Sequence, residues 1–302
     1  MTENYQLVIE KEKGRLDKVI AEKIKDLSRT KIKELVNDKN ILVNNKAEKV
    51  SYKVQAGDLI DITVPPAKPL SLEAQNLNLD IVYEDADVIV VNKPQGMVVH
   101  PSAGHPDHTL VNGLLYHTHE LADSPEGFRP GIVHRIDKDT TGALLVCKTD
   151  LAHRDLAQQL KEHSITRRYR AIVHGNLKEE EGTIEGAIGR HPTERKKMAI
   201  NLKNGKPAVT HYKVLEHYKN YSYIECRLET GRTHQIRVHM SSIGHPLVGD
   251  FVYGPKKCPF PNLEGQTLHA MVLGFVHPVT KEYLEFTAPL PQYFEKLQKK
   301  LI

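Results

Sequence analysis

The sequence has few cysteines, no long apolar run and no leader-like N-terminus. Its cysteines lie far apart and form no Cys-x-x-Cys pair, so we expect neither a disulfide framework nor a zinc ribbon. The three are Cys147, Cys226 and Cys258. No segment approaches the roughly 20 apolar residues of a membrane-spanning helix, and residues 1–5 lack the charged-then-apolar form of a signal peptide. We therefore expect a cytoplasmic location and no membrane partner.

The composition is that of an ordinary globular protein. Hydrophobic residues make up 39% of the chain and charged residues 26%, which excludes the disordered and collagen-like classes. A length of 302 residues exceeds that of most single domains. Two domains, or one large domain with an appendage, are therefore expected.

Positive charge is concentrated near the N-terminus. Residues 11–53 contain 13 Lys and Arg against 7 Asp and Glu, although the whole chain carries a net charge of only +4. A local positive field attracts phosphate backbones independently of their sequence. Taken alone, the charge is better explained by a solvated lysine-rich surface, so this feature by itself leaves the partner open.

The basic region has the pattern of a small α/β-type module. Apolar residues at helical spacing over 16–27 predict an amphipathic helix, and Ser28 is the expected N-cap of a second helix over 29–37. The segments 41–43 and 50–54, on either side of the turn at 44–46, are expected to be strands, and 59–64 another. Two helices followed by small strands give a compact module of about fifty residues.

Four short motifs stand in this module, namely Arg15-Leu-Asp-Lys18, Ser28-Arg-Thr-Lys-Ile-Lys33, Val43-Asn-Asn45 and Ala56-Gly-Asp-Leu-Ile60. In these motifs and their order the module resembles an S4-type RNA-binding domain. The resemblance implies that RNA is contacted by four basic side chains, namely Arg15, Arg29, Lys31 and Lys33. We expect an N-terminal extension at 1–12, the S4-like domain at 13–64, a proline-rich linker at 65–75 and a catalytic domain at 76–302.

The remainder of the chain has the pattern of an α+β domain with a mixed, mainly antiparallel sheet. Two strands are expected around an acidic turn at 81–92, and the wholly apolar run 88–91 suits a buried strand. Further strands are expected at 143–147, 168–173, 211–215, 221–228 and 282–287. Helices are expected at 151–161 and 235–243.

One segment of this domain, residues 131–142, is a candidate for catalysis. It holds Asp137 between the basic residues Arg135 and Lys138 and continues into an apolar strand. A loop held by a buried strand can fix a catalytic side chain. Taken alone, however, Asp137 is better explained as an ordinary turn aspartate.

Further motifs change that interpretation. His134-Arg-Ile-Asp137 followed by Thr141-Gly142 resembles the HRLD…SG/TG signature of the RluA/RluD family of pseudouridine synthases. Three other stretches resemble family motifs in the same order: Val91-Asn-Lys-Pro-Gln-Gly-Met-Val-Val-His-Pro101, Arg168-Tyr-Arg-Ala171 and Leu228-Glu-Thr-Gly-Arg-Thr-His-Gln-Ile-Arg-Val-His239. The resemblance spans about residues 77–291, and the S4-like module in front of it points to the RluD-like branch.

The resemblance implies a chemistry and a set of catalytic residues. Pseudouridine synthases isomerise uridine without net redox change or hydrolysis, so no cofactor and no metal are expected. Asp137 matches the family's nucleophilic carboxylate, which either adds covalently or assists formation of a glycal. Arg237 is the expected partner, because a nearby guanidinium favours an ionised carboxylate and orients it. Tyr169 is expected to stack on the target base and to help move a proton.

The resemblance also implies contacts with RNA around the site. A target uridine must leave its stack, and Arg135 is the family-matched side chain to fill the vacated space. His134 and Arg232 are expected to contact RNA as well. The basic stretch 190–206 is expected to be a mobile loop that grips the backbone, and its cations are Arg190, Arg195, Lys196, Lys197, Lys203 and Lys206.

Three other functions compete with this hypothesis. The 17 histidines suggest a metalloenzyme, but no His-Glu-x-x-His or paired Cys/His spacing is present. The histidines considered were His100, His105, His108, His234 and His239. A non-enzymatic RNA-binding protein would need only the S4-like module, and Asp137 with Asp139 suggests two-carboxylate glycoside hydrolysis. Large-subunit ribosomal RNA is the expected partner, with other ribosomal sites and transfer RNA left open; no obligatory protein partner is inferred.

Overall fold

The computed structural model describes residues 3–24, 27–65, 72–102, 104–123, 129–194, 197–261 and 263–301, with only the backbone of Thr30. The chain forms two compact units, residues 1–69 and residues 70–302. Most of the predicted linker at 65–75 lies outside the described residues. Among the helices that are described, none combines the length and the apolar character needed to cross a bilayer.

In its described residues the first unit consists of two helices and short strands. Its elements are β1 (Glu3–Val8), β2 (Gly14–Arg15), α1 (Leu16–Lys23), α2 (Arg29–Asn37), β3 (Ile41–Val43), β4 (Lys46–Ala47), β5 (Lys53–Val54) and β6 (Leu59–Val64). Four strands form an antiparallel sheet in the order β1-β6-β3-β4, and β2 pairs with β5. The apolar sides of both helices pack into one core with β3 and β6.

Local signals account for the helices of this unit. Ser28 caps α2 as predicted, because its hydroxyl accepts a hydrogen bond from the Lys31 backbone N–H at 3.2 Å. The first helix is shorter than the predicted 16–27 and ends at Lys23. Both helices thus form where the apolar periodicity predicts them, but the first is shorter than predicted.

Two predictions for the first unit are corrected. The strand predicted at 50–54 is shorter, β5 at Lys53–Val54, and it pairs with β2. The strand that pairs with β3 after the turn is β4, which was not predicted, because the tight turn reverses the chain at once. The second corrected prediction is that residues 1–12 form an extension separate from the domain. In the structure β1 forms the outer strand of the sheet, paired with β6 along its whole length.

The second unit combines a large sheet with four helices in its described ranges. Its elements are β7 (Ile81–Glu84), β8 (Val88–Lys93), α3 (Leu110–His117), β9 (Thr141–Cys147), α4 (Asp150–Lys161), β10 (Thr166–His174), β11 (Glu181–Glu185), β12 (Ile188–Arg190), β13 (Met198–Ile200), β14 (Val209–Tyr218), β15 (Tyr221–Leu228), α5 (Gln235–Ser242), β16 (Leu268–Val276), β17 (Tyr283–Thr287) and α6 (Gln292–Leu301).

The main sheet of this unit has the order β11-β14-β15-β10-β16-β9-β8-β7, with β17 pairing β16. All its pairs are antiparallel except β9 with β16, so the predicted mixed, mainly antiparallel sheet is confirmed. The late strand β16 lies between β9 and β10. The strand that follows the Asp137 loop is therefore joined to the Tyr169 strand through a segment about a hundred residues later.

Both faces of the central strands are buried. Along β8 and β9 alternate residues enter two different cores, one shared with α3 and β10 and the other shared with α4. A strand covered on both sides needs apolar residues in succession, which explains the run 88–91. Thr149 caps α4 by accepting from the Ala152 N–H at 3.2 Å.

Candidate active site

A cavity of about 480 Å³ opens where the loop before β9, the start of β10 and the N-terminal end of α5 converge. Its size is typical of small-molecule sites. Among the described residues that line it, Asp137 is the one carboxylate, and the cationic residues are Arg135, Lys161, Arg167, Arg232 and Arg237. Asp139, the second acid of the glycosidase hypothesis, is not among them. A cavity so rich in cations is suited to an anionic ligand.

Asp137 belongs to a chain of three charged groups. Arg237 Nη1 donates to Asp137 Oδ2 at 3.0 Å, while Nε and Nη2 donate to the two carboxylate oxygens of Asp250 at 2.6 and 3.0 Å. The Asp250 side chain is fully buried, whereas that of Asp137 is 16% exposed. Burial alone would lower the pKa of Arg237, but Asp250 and Asp137 raise it above its ordinary value. The two hydrogen bonds with Asp250 thus fix the Arg237 guanidinium in an orientation that directs Nη1 to Asp137.

The backbone around Asp137 is fixed on both sides. Ile136 is buried in the main core, and the Thr140 hydroxyl accepts from Gln266 Nε2 at 3.1 Å. Gly142 has a φ of 108°, and an added Cβ would lie 2.3 Å from the Ala270 carbonyl oxygen. Only glycine combines that backbone conformation with so close an approach of two chains. The loop therefore enters β9 along one defined path.

Lys93 ties the Asp137 loop to the end of β8. Its side chain is fully buried, and Nζ donates to the carbonyl oxygens of Pro94, Met97 and Lys138 at 2.8, 2.8 and 2.9 Å. Burial lowers the pKa of Lys93 to about 7, and the charges of Asp139 and Asp137 act in the opposite direction. Three carbonyls take up all the hydrogens of one ammonium group, which fixes the residue directly after Asp137.

We expect Lys93→Met to lower both stability and turnover. Methionine keeps the apolar stem but leaves three carbonyls without the Lys93 donor, a loss of about 3 kcal/mol, and it frees the loop at Lys138. Chemical denaturation and single-turnover kinetics measure the two effects. The exposed Lys213→Met on β14 is the matched control; equal behaviour of the two variants would contradict this role for Lys93.

His234 lies beside Asp137 and is held by Tyr253. His234 Nε2 is 4.0 Å from Asp137 Oδ2, and Nδ1 is 2.7 Å from the Tyr253 hydroxyl, which also accepts from the Met198 N–H at 2.8 Å. Burial lowers the pKa of His234 and raises that of Tyr253. If the phenol donates to Nδ1, the histidine proton remains on Nε2, towards Asp137.

Tyr169 completes the inner wall of the cavity. It lies on β10 opposite Cys226 and Ala270 and is only 7% exposed. Burial raises the pKa of its phenol. The charge of Arg167 lowers that pKa, and the charge of Asp137 raises it further. The phenol is therefore protonated at neutral pH and presents a hydrogen-bond donor and an aromatic ring to the same cavity as Asp137.

Residues 87–242 match the model of the RNA pseudouridylate synthase family, slightly more than half of the chain. The chain belongs to this family. It is 50% identical to the RNA pseudouridine synthase YlyB of Bacillus subtilis, over 97% of this chain and 95% of that one. It is 47% identical to the ribosomal large subunit pseudouridine synthase D of Zymomonas mobilis, over 100% and 98%. Human RNA pseudouridylate synthase domain containing 1 is 32% identical and covers 78% of this chain and 97% of its own, with a TM-score of 0.58.

The pseudouridine synthase also carries an S4 domain, since residues 14–60 match that model. Arg15 and Arg29 donate to the two carboxylate oxygens of Asp17, at 2.9 and 2.5 Å. Although its burial acts the other way, these hydrogen bonds hold the pKa of Asp17 below its ordinary value. Arg15, Asp17 and Arg29 line a surface depression, and Lys33 lines it as well. Lys31 does not line it, and its Nζ lies 3.7 Å from Glu34 Oε2. Three of the four predicted RNA contacts of this domain therefore come together.

The predicted RNA contacts of the synthase domain differ in their freedom. Arg135 is exposed at the cavity, as expected for a side chain that enters an RNA stack. Arg232 is half-buried, and its Nε donates to the Pro207 carbonyl at 3.0 Å. His134 lines the cavity, but its Nε2 accepts from the Leu145 N–H at 2.9 Å. That bond requires an unprotonated Nε2, so His134 also anchors the loop to β9.

His134 makes the stability of the synthase domain sensitive to acid. Burial, with a smaller contribution from Arg167, lowers the pKa of His134 from 6.5 to about 3. Between these values the unfolded chain binds a proton that the folded chain does not, so the free energy of unfolding falls as pH falls below 6.5, by up to about 1.4 kcal/mol per pH unit. Chemical denaturation between about pH 7 and pH 5 should give a shallower slope for His134→Gln; an unchanged slope would assign the effect elsewhere.

The basic stretch 190–206 is not a simple loop, contrary to prediction. β12 and β13 pair antiparallel as a short hairpin, with Met198–Ile200 opposite Ile188–Arg190. The Met198 N–H donates a hydrogen bond to the Tyr253 hydroxyl, which ties the hairpin to Tyr253. Lys197 donates to Glu194 at 2.9 Å. Arg195 and Lys196 lie outside the described residues.

Of the five histidines of the metal hypothesis, His234 alone is among the described residues that line the cavity. His239 is bonded through Nδ1 to the Thr210 hydroxyl and through Nε2 to the Gly186 carbonyl, at 2.9 and 3.2 Å. Among the described residues, the His, Cys, Asp and Glu side chains that come close enough to share a cation are Asp85, Asp87 and His277. None of these three lines the cavity of the pseudouridine synthase.

Sequence reasoning missed Asp250, Tyr253 and the role of Lys93. Asp250 follows Arg237 by 13 residues in a turn, and no spacing rule joins the two. Lys93 offered a signal, because it continues the apolar run of β8 and a buried ammonium must find acceptors. The site of this pseudouridine synthase thus contains more supporting residues than its motifs identify.

Proposed function

We propose that this pseudouridine synthase converts specific uridines of large-subunit ribosomal RNA to pseudouridine in the cytoplasm, with Asp137 as the catalytic carboxylate and with no cofactor. The observation that carries the proposal is the cavity in which Asp137 is the one carboxylate among the described lining residues, held by Arg237 at 3.0 Å. A single oriented carboxylate amid cations suits a reaction on a sugar carbon within a polyanion.

The reaction begins with cleavage of the bond between N1 of uracil and C1′ of the ribose, whose electron pair leaves with the uracil. The Asp137 carboxylate either bonds C1′ or takes the C2′ proton, which gives a glycal. The uracil then turns so that C5 faces C1′, and a C5–C1′ bond forms. On the covalent route the bond between Asp137 and C1′ breaks in this step, and on the glycal route Asp137 returns the proton to C2′. C5 loses its proton and N1 gains one, so atoms and electrons balance without an oxidant, a reductant or a group donor.

Each remaining residue has a role in this scheme. Arg237 keeps the Asp137 carboxylate oriented, and Tyr169 supports the base and offers a phenol for proton transfer near C5. Arg135 fills the space that the flipped uridine leaves in its stack. Arg232 and the exposed edge of His134 contact the nucleotides at the mouth of the cavity.

RNA docking is shared with the N-terminal domain. We propose the division into an S4-like domain at 13–64, to whose sheet residues 1–12 add β1, a linker at 65–75 and a synthase domain at 76–302. The proposed RNA contacts of the first domain are Arg15, Arg29, Lys31 and Lys33. Arg15, Arg29 and Lys33 line one depression and therefore support a contact with the RNA backbone more strongly than Lys31, which lies outside it. No obligatory protein partner is proposed.

The choice of RNA rests on the relatives. Two of them, from Zymomonas mobilis and Escherichia coli K12, are named ribosomal large subunit pseudouridine synthase D and are 47% and 45% identical to this chain. Both align over at least 87% of their own length and at least 92% of this chain. We therefore assign the RNA of the large ribosomal subunit as the substrate.

Pseudouridine mapping in a deletion strain tests the function. Total RNA from strains with and without the gene is compared by chemical labelling and sequencing, and the missing sites are restored with the wild-type gene or with the Asp137→Asn gene. We expect sites to disappear from large-subunit ribosomal RNA and to return only with the wild type. Loss of sites from transfer RNA alone would overturn the substrate assignment, and return with the Asp137→Asn gene would overturn the mechanism.

A further inference from the structure

Arg167 is a buried cation inside the cavity that the scheme above does not use. It lies on β10 two residues before Tyr169 and is 7% exposed. Alternate residues of a strand face the same side, so its side chain shares the face of β10 that carries Tyr169. The intervening Arg168 points the other way and pairs with Glu285 at 2.7 Å.

The guanidinium of Arg167 lacks a counter-charge in the described part of the chain. Nη2 donates to the Glu229 carbonyl at 3.0 Å, but Nε is buried without an acceptor, and no described carboxylate forms an ion pair with it. Burial lowers the pKa of Arg167, Tyr169 acts against that effect and Arg232 adds to it. A buried charge without a partner is costly, which indicates that a ligand supplies the missing acceptor.

Gly231 makes the space that this guanidinium occupies. A Cβ placed on residue 231 would lie 2.6 Å from Arg167 Nη1, closer than real contacts allow. The backbone of the segment before α5 therefore packs against the guanidinium at the cavity wall, with no side chain in between. This arrangement leaves a buried donor beside the cavity for an acceptor.

We propose that Arg167 binds the uracil ring of the target uridine and stabilises the negative charge that develops on it when the N1–C1′ bond breaks. This inference rests on the proposed function. The electron pair of the broken bond spreads over N1, O2 and O4 of the ring, so a donor at a carbonyl oxygen is bound more strongly in the transition state than in the substrate. A donor inside a cavity of low dielectric constant is effective for that purpose.

The ring is a better ligand for Arg167 than a phosphate. The phosphates of a flipped nucleotide remain at the mouth of the cavity, where Arg135 and Lys161 are exposed and can meet them. Arg167 lies deeper, on the face that Tyr169 shares. Only the base enters far enough to meet both side chains.

The test compares Arg167→Met, Arg167→Lys and the matched control Arg168→Met on a ribosomal RNA fragment. We expect Arg167→Met to lower kcat by about 100-fold, with RNA affinity within about twofold, whereas Arg167→Lys keeps the charge and recovers part of the loss. Arg168→Met should leave kcat near the wild-type value. Thermal unfolding of each variant sets an assay temperature at which all are folded.

An RNA that carries 5-fluorouridine at the target gives a second readout. Fluorine withdraws electrons and stabilises the uracil anion, so consumption of this nucleoside depends less on Arg167. The deficit of Arg167→Met should shrink by at least about threefold relative to uridine. Gly231→Ala, which displaces the guanidinium without removing it, should show a smaller loss with the same fluorine dependence.

Three results would overturn the inference. They are an unchanged kcat in Arg167→Met, a loss of RNA affinity with kcat preserved, which indicates a phosphate contact, and an equal deficit with both nucleosides, which indicates a purely structural role. Failure of the proposed function looks different, because Asp137→Asn would then keep its activity whatever Arg167→Met does.

Discussion

Replacing Asp137 by asparagine should abolish pseudouridine formation and leave RNA binding unchanged. The amide has the same shape but can neither bond C1′ nor take a proton, so we expect a loss of about 10⁴-fold or more. The fold should tolerate the change, because Arg237 remains paired with Asp250 and no buried charge is left alone. Pseudouridine is measured by mass spectrometry of digested RNA, and binding is measured at fixed salt.

Asp139→Asn is the matched control for this variant. Asp139 lies two residues further along the same loop but does not line the cavity, and burial raises the pKa of its carboxyl. We expect its activity to stay within about tenfold of wild type. Equal inactivation of both variants would revive a two-carboxylate mechanism, and more than about 1% residual activity in Asp137→Asn would remove Asp137 from the chemistry.

Arg237→Met should damage both stability and activity. Methionine leaves Asp250, whose side chain is fully buried, as a carboxylate without its cation, which costs about 3–5 kcal/mol of unfolding free energy. It also releases the side chain of Asp137, for which we expect a loss in kcat of about 100-fold or more. Chemical denaturation and single-turnover assays separate the two effects.

The double variant Arg237→Met with Asp250→Asn distinguishes a structural from a catalytic role for the arginine. Asparagine removes the stranded charge, and its amide oxygen can still accept from the backbone of Val252 and Tyr253, as Asp250 does. Stability should therefore recover by most of the loss, while activity stays low. A double variant with wild-type activity would show that orientation of Asp137 does not depend on Arg237.

Periodicity and capping predict much of the fold, and they fail where an element is apolar all round or paired over long distances. Ser28 and Thr149 mark helix starts, and the run 88–91 marks a buried strand. α3, however, has buried residues on successive positions from Leu110 to Leu114, and without a polar face it shows no helical period. β16 is also largely apolar on both faces, and its partners β9 and β10 lie about a hundred residues earlier.

The pairing of Asp137 with Arg237 was expected from motif resemblance, and the contact between them agrees with it. The supporting residues could not be foreseen in the same way. Asp250 and Tyr253 acquire their roles from a turn after α5, and Arg167 acquires its environment from Gly231 across the sheet. Such contacts depend on tertiary packing, which spacing in the sequence does not encode.

The position of β16 has a consequence for synthesis of the enzyme. This strand separates β9 from β10, so a nascent chain that stops before residue 268 cannot hold the Asp137 loop and Tyr169 at their final distance. Chains with such long-range pairing fold late and slowly. We therefore expect a product truncated before residue 268 to form no pseudouridine, although it retains the whole S4 domain.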